Sequence, residues 1–165
     1  MLKRVLLAIL LVFGACFGQE QSADQGKSYK LDFVIKELSG GKVTNSRSYM
    51  MVARGQHGNQ MLRTGDKVPV PTGASSAGTS WTYIDVGVNI DVIDLVRDGN
   101  DLRMHVTADI TSAEKDSATP QPIIRQNRWG SDVIVPIRKP TTLFSSDSTS
   151  SKSQTQVEVT ATPIP

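Results

Sequence analysis

The sequence predicts an all-β protein: one antiparallel β-sandwich-like domain of roughly seven to nine strands, following an N-terminal signal peptide. Three observations carry this expectation. Ile84, Val86, Val88, Ile90 and Val92 alternate with Tyr83, Asp85, Gly87, Asn89 and Asp91, the two-residue period of a strand with one buried face. Across the turn sequence RDGND, LRMHVTADI (102–110) alternates in the same way, which makes the two runs a central hairpin. After residue 18 no stretch shows a helical period.

The N-terminus predicts export. Lys3 and Arg4 precede the apolar run VLLAILLVF (5–13), and small residues follow in GACFG. That is the layout of a secretory signal, and the run is too short to span a bilayer. Two processing routes fit: cleavage after Gly18, or lipidation of Cys16 through the lipobox-like FGAC. Removing residues 1–18 leaves 16 basic against 16 acidic residues, so the mature chain is formally neutral and a nucleic-acid-binding patch is not expected. Cys16 is the only cysteine, which leaves the folded part without a disulfide or thiolate metal site. The periplasm or outer membrane of a bacterium fits this better than an extracellular disulfide scaffold does.

Residues 19–28 are polar and aperiodic, and read as a tether to a β-domain at 29–165. YKLDFVIKEL (29–38) sets Tyr29, Leu31, Phe33 and Ile35 on one face, and a Gly-Gly turn joins it to VTNSRSYMMVAR (43–54), a hairpin signal. Pro69 and Pro71 consign their segment to a sheet edge or a strand end. ASSAGTS (74–80) and SSDSTSSKSQ (145–154) read as loops, and Gly130 marks a bulge or bend within 123–137. TQVEVTATPI (155–164) is a last strand, placed with the proline segment as an expected edge.

No catalytic constellation emerges. Asp85 and Asp91 stand about 20 Å apart along a strand, too far for a glycosidase pair. They, with Asn89, lack calcium-loop spacing, and His57 and His105 lie in no ligand motif. No serine sits in a nucleophile elbow. Neither enzyme chemistry, metal nor cofactor is therefore expected. Trp81, Tyr83 and Trp129 are either core aromatics or parts of a contact surface.

Four segments in order resemble the core β-domain of bacterial secretins, the outer-membrane channels of type II and III secretion and type IV pili. They are GDKVPVPTG (65–73), YIDVGVNIDVIDLV with LRMHVTADITS (83–112), PIIRQNRWGSDVIVPI (122–137) and QVEVTATPI (156–164), and together they span roughly residues 60–165. RKPTTLFSSDSTSSKSQ stands where secretins carry a glycine-rich piece and their membrane and gate region, and only the 29–54 hairpin lies upstream, so a channel formed by this chain alone is not expected.

The resemblance implies a non-enzymatic envelope protein in secretion- or pilus-type machinery, one that contacts envelope proteins or its own copies by strand addition. Membrane contact would come through a lipidated Cys16 or an outer-membrane partner. The expected contact surface is Trp81, Tyr83, Asp85, Gly87, Asn89 and Asp91, with Trp129. The alternative is a periplasmic or lipid-anchored module that binds a small ligand or glycan through Trp81, Tyr83 and Trp129.

Overall fold

The structure is a computed structural model that describes residues 26–55, 58–75, 78–115, 122–148 and 153–165. Cys16, the signal, most of the tether and His57 lie outside them. Eight strands follow in chain order: β1 (Ser28–Ser39), β2 (Lys42–Arg54), β3 (Gln60–Ser75), β4 (Gly78–Asp98), β5 (Asp101–Lys115), β6 (Pro122–Pro136), β7 (Thr141–Asp147) and β8 (Ser153–Ile164). They form two antiparallel sheets, ordered β2-β1-β8-β7 and β3-β4-β5-β6.

Local sequence accounts for the hairpins. Gly40 and Gly41 take φ of 56° and 78°, the pair of left-handed residues that a tight turn needs to match strand twist. Gly99, at φ 61°, turns β4 into β5, with Asp98 opposite Asp101. The alternation then places Tyr29, Leu31, Phe33 and Ile35 of β1 against Val88, Ile90 and Val92 of β4 and Met104, Val106 and Ala108 of β5 in one dry core. Among the described residues no polar side chain is buried in that core.

The register breaks once inside the central hairpin. Ile93 opposes His105 but Val96 opposes Arg103, so Asp94 and Leu95 together face Met104. Asp94 adopts φ 54°, and this bulge resets the parity of β4: after Val88, Ile90 and Val92 the next buried residue is Leu95. Where the chain crosses from β6 to β7, Ile137 N–H donates to Asn100 at 2.9 Å and Arg138 N–H to Ala161 at 2.8 Å. Adjacent amides thus tie the crossover to both sheets.

Several expectations need correction. The last strand is no edge: β8 lies between β1 and β7, because the start and end of the domain pair with each other. Gly130 sits in an unbroken ladder opposite Thr107. The segment 74–80 is mostly strand, with β3 running to Ser75 and β4 starting at Gly78. Part of the serine-rich segment is strand too, since β7 ends at Asp147 and β8 begins at Ser153.

Candidate interaction surface

Strand β4 is longer than the sandwich it belongs to. It pairs with β5 only from Gly87 onward, so residues 78–86 have β3 as their one neighbour. At about 3.3 Å per residue, this two-stranded arm projects roughly 30 Å. The aromatics of one face stay in water, Trp81 56% and Tyr83 63% exposed, while Ile84 and Val86 on the other face are half-buried.

Cross-strand geometry fixes what surrounds them. Trp81 opposes Pro71 and Tyr83 opposes Pro69, so each aromatic ring shares a face with a proline. Further down the same face, Lys67 bonds Asp85 at 2.8 Å and Arg63 bonds Asp91 at 2.7 Å. The two aspartates are therefore halves of surface ion pairs, worth no more than about 1 kcal/mol each. Gly65 and Gly87 face each other between these pairs and leave a shallow cavity of about 260 Å³ lined by Arg63, Asp85, Asn89 and Thr111.

Asp109, across β5 from Asn89, is the most tightly held acid on this face. Burial pushes its carboxyl pKa up. Hydrogen bonds from Gln126, Arg128 and Thr111, together with the Arg128 charge, outweigh that and bring it below the ordinary carboxylate value. Gln126 Nε2 donates at 3.0 Å to both oxygens, and Arg128 donates through Nε at 3.1 Å and Nη2 at 2.8 Å.

Trp81, Tyr83, Asp85, Gly87, Asn89 and Asp91 thus lie on one face of one strand. Trp129 does not join them. It points inward from β6, half-buried, with its ring 6.0 Å from that of Phe144. Among the described residues no group of three or more His, Cys, Asp or Glu side chains is placed to hold a metal ion.

Sequence reasoning placed the Pro69 and Pro71 segment at a sheet edge, and β3 is one; what it missed is which residues turn their backbone to the free side. A proline inside a ladder can stand only where its nitrogen faces away from the paired strand. Pro69 and Pro71 are both paired to β4, so odd-numbered residues of β3 turn their backbone groups to the free edge. Along that edge Met61, Arg63, Gly65 and Lys67 offer N–H groups, while Pro69 and Pro71 offer none. The signal was present in V-P-V-P, two prolines spaced by the strand period.

No protein-family model matches the chain, and no curated protein matches it. Solved structures do. The secretin domain β-barrel of InvG from the Salmonella SPI-1 injectisome superposes with a TM-score of 0.51 at 10% identity, over 85% of this chain and 64% of that one. The fold is that of a secretin β-domain. GspD, the type II secretin of enteropathogenic Escherichia coli, gives 0.53 at 9% identity, over 85% of this chain and 70% of that one. The shared secretin fold covers more than residues 60–165 could supply, so it takes in part of the chain upstream of the segments that carry the sequence resemblance. This chain spans just under two thirds of the length of the InvG chain.

Proposed function

We propose that this chain is an exported, non-enzymatic component of a bacterial envelope, working in secretion- or pilus-type machinery by strand addition to its own copies or to envelope proteins. One observation carries the reading: both sheets of a secretin-type sandwich end in unpaired strands, β2 and β7 in one and β3 and β6 in the other. Each such edge presents a row of unpaired amides and carbonyls, the usual template for another strand. The InvG match supports the direction, since that chain forms a secretin β-barrel in an injectisome whose basal body also contains PrgH and PrgK. Trp81 and Tyr83 stand on a two-stranded ribbon, a poorer wall for a glycan than a cleft would be.

The test is to express the full chain in a Gram-negative host, fractionate the cells, and size the extracted protein by light scattering and electron microscopy. The expected result is envelope-fraction multimers, alone or with an envelope protein. A strict monomer at every concentration, with no envelope protein co-purifying, overturns the proposal.

A further inference from the structure

The dry core stops at one level in both sheets. In the β2-β1-β8-β7 sheet Ile35 pairs with Val157, both buried, and two residues on Glu37 pairs with Thr155. In the other sheet Ile110 pairs with Asn127, then Ser112 with Arg125 and Glu114 with Ile123. The period of two keeps all of these side chains on the inward faces. Past the core, the sheets therefore face each other through polar groups. Between them lies a cavity of about 520 Å³ lined by Glu37, Ser112, Glu114, Arg125, Asn127 and Thr155.

The inward charges of this cleft are already matched. Arg47 Nη2 donates to Glu37 Oε1 at 2.6 Å, and Arg125 Nε meets Glu114 Oε1 at 3.1 Å. At the rim, Gln154 Nε2 donates to Asp147 Oδ1 at 3.0 Å. A charged ligand would have to break one of these pairs or lie beside a charge that is already taken. A neutral ligand disturbs none of them.

The groups left to recognise it are hydroxyls and an amide. The side chains of Ser112, Asn127 and Thr155 bond to no other group among the described residues, and they offer both donors and acceptors. Glu37 and Glu114 keep lone pairs to which a hydroxyl can donate. Ile123, 45% exposed, adds an aliphatic contact at the mouth. Hydroxyl and amide partners around one aliphatic contact suit a pyranose, whose rim carries hydroxyls and whose face carries C–H bonds.

We propose that this inter-sheet cleft binds a neutral sugar, with Ser112, Asn127 and Thr155 bonding its hydroxyls and Ile123 against its C–H face. The site lies away from the Trp81 and Tyr83 ribbon, and it stands whether or not copies add strands to one another.

The experiment is saturation-transfer NMR with calorimetry on the extracted full chain. Glucose, galactose and chitotriose are the neutral probes, and galacturonate and glucosamine are the charged counterparts. The expected result is millimolar binding of at least one neutral sugar, with its charged counterpart roughly fivefold weaker or worse. Binding of the monosaccharides supports a free sugar as the source, and binding of chitotriose alone supports a glycan. Asn127→Ala and Thr155→Val each weaken binding by roughly fivefold without changing the melting temperature. Thr160→Val, on the outward face of β8 opposite Asp32, leaves binding unchanged.

No neutral sugar bound at tens of millimolar overturns the proposal, while strand addition is left standing. Charged sugars that bind as well as neutral ones overturn the neutral ligand. A signal that Trp81→Ser abolishes and Asn127→Ala spares belongs to the arm, and overturns the cleft.

Discussion

Gly65 and Gly87 stand opposite each other across β3 and β4 at the point where the pairing of β4 with β5 ends. A Cβ on Gly87 would lie 2.1 Å from the Thr64 carbonyl oxygen, and one on Gly65 would lie 2.3 Å from that of Val86. Gly87 also holds φ at 152°. The backbones approach this closely because neither strand carries a side chain there.

Alanine at either glycine must push backbone against backbone. Gly87→Ala and Gly65→Ala are each expected to cost about 1–3 kcal/mol, measured by urea unfolding. Gly130→Ala is the control. Its Cβ would meet only the Thr107 side chain, nearest at the hydroxyl at 3.4 Å, and the expected cost is under about 1 kcal/mol. Equal losses at Gly87 and Gly130 would rule out the close-approach account.

Asp94 is the pivot of the β4 bulge, with φ at 54°. A β-branched side chain is disfavoured in that conformation by about 1–2 kcal/mol, whereas glycine is at ease there. Asp94→Val should therefore destabilise by about that amount. Asp94→Gly should leave stability unchanged or raise it by up to about 1 kcal/mol. Thermal or urea melts of the pair decide it, and a valine variant as stable as wild type would remove the bulge from the account.

The sandwich was legible in the sequence wherever a strand has one dry face. Tyr29 to Ile35 and Val88 to Val92 alternate because every second residue packs into the core. The tip of the arm, residues 78–80, was not legible as strand, because Thr79 and Ser80 bury neither face and leave no pattern in the sequence. The short strand β7 hid for a related reason: a register shift between Thr142 and Phe144 breaks its alternation. Sheet order was out of reach for a different reason. That β8 lies beside β1 depends on pairing residues more than a hundred positions apart, such as Phe33 with Val159, and no local signal encodes it. Of the expected contact surface, one strand's period placed six residues together. Nothing in that period could show that Trp129, on another strand, faces the opposite way.

The two tryptophans give a direct contrast. Trp81→Ser, on the exposed arm, should change stability by less than about 0.5 kcal/mol. Trp129→Ala, which strips the ring packed on Phe144, should cost about 2–3 kcal/mol. Iodide should quench Trp81 fluorescence strongly in the Trp129→Phe protein and Trp129 weakly in the Trp81→Phe protein. Comparable quenching of both would contradict the inward placement of Trp129.

Asp109 predicts a pH dependence whose sign follows from its environment. Its pKa is lower in the folded protein than the 3.8 of a free aspartate, because the bonds from Gln126, Arg128 and Thr111 and the Arg128 charge outweigh its burial. The folded state therefore favours the ionised carboxylate. The resulting stabilisation is complete above the unfolded pKa and is lost as pH falls through the folded one. Asp109→Asn keeps the shape, removes the charge, and turns one acceptor of the Arg128 and Gln126 bonds into a donor. The variant should be less stable than wild type at pH 7, and the gap should narrow as pH drops below about 4. Urea unfolding of both proteins between pH 2.5 and 7, on matched monomer concentrations, reads the difference directly. A gap that stays constant across that range would mean the carboxylate gains nothing from its partners on β6.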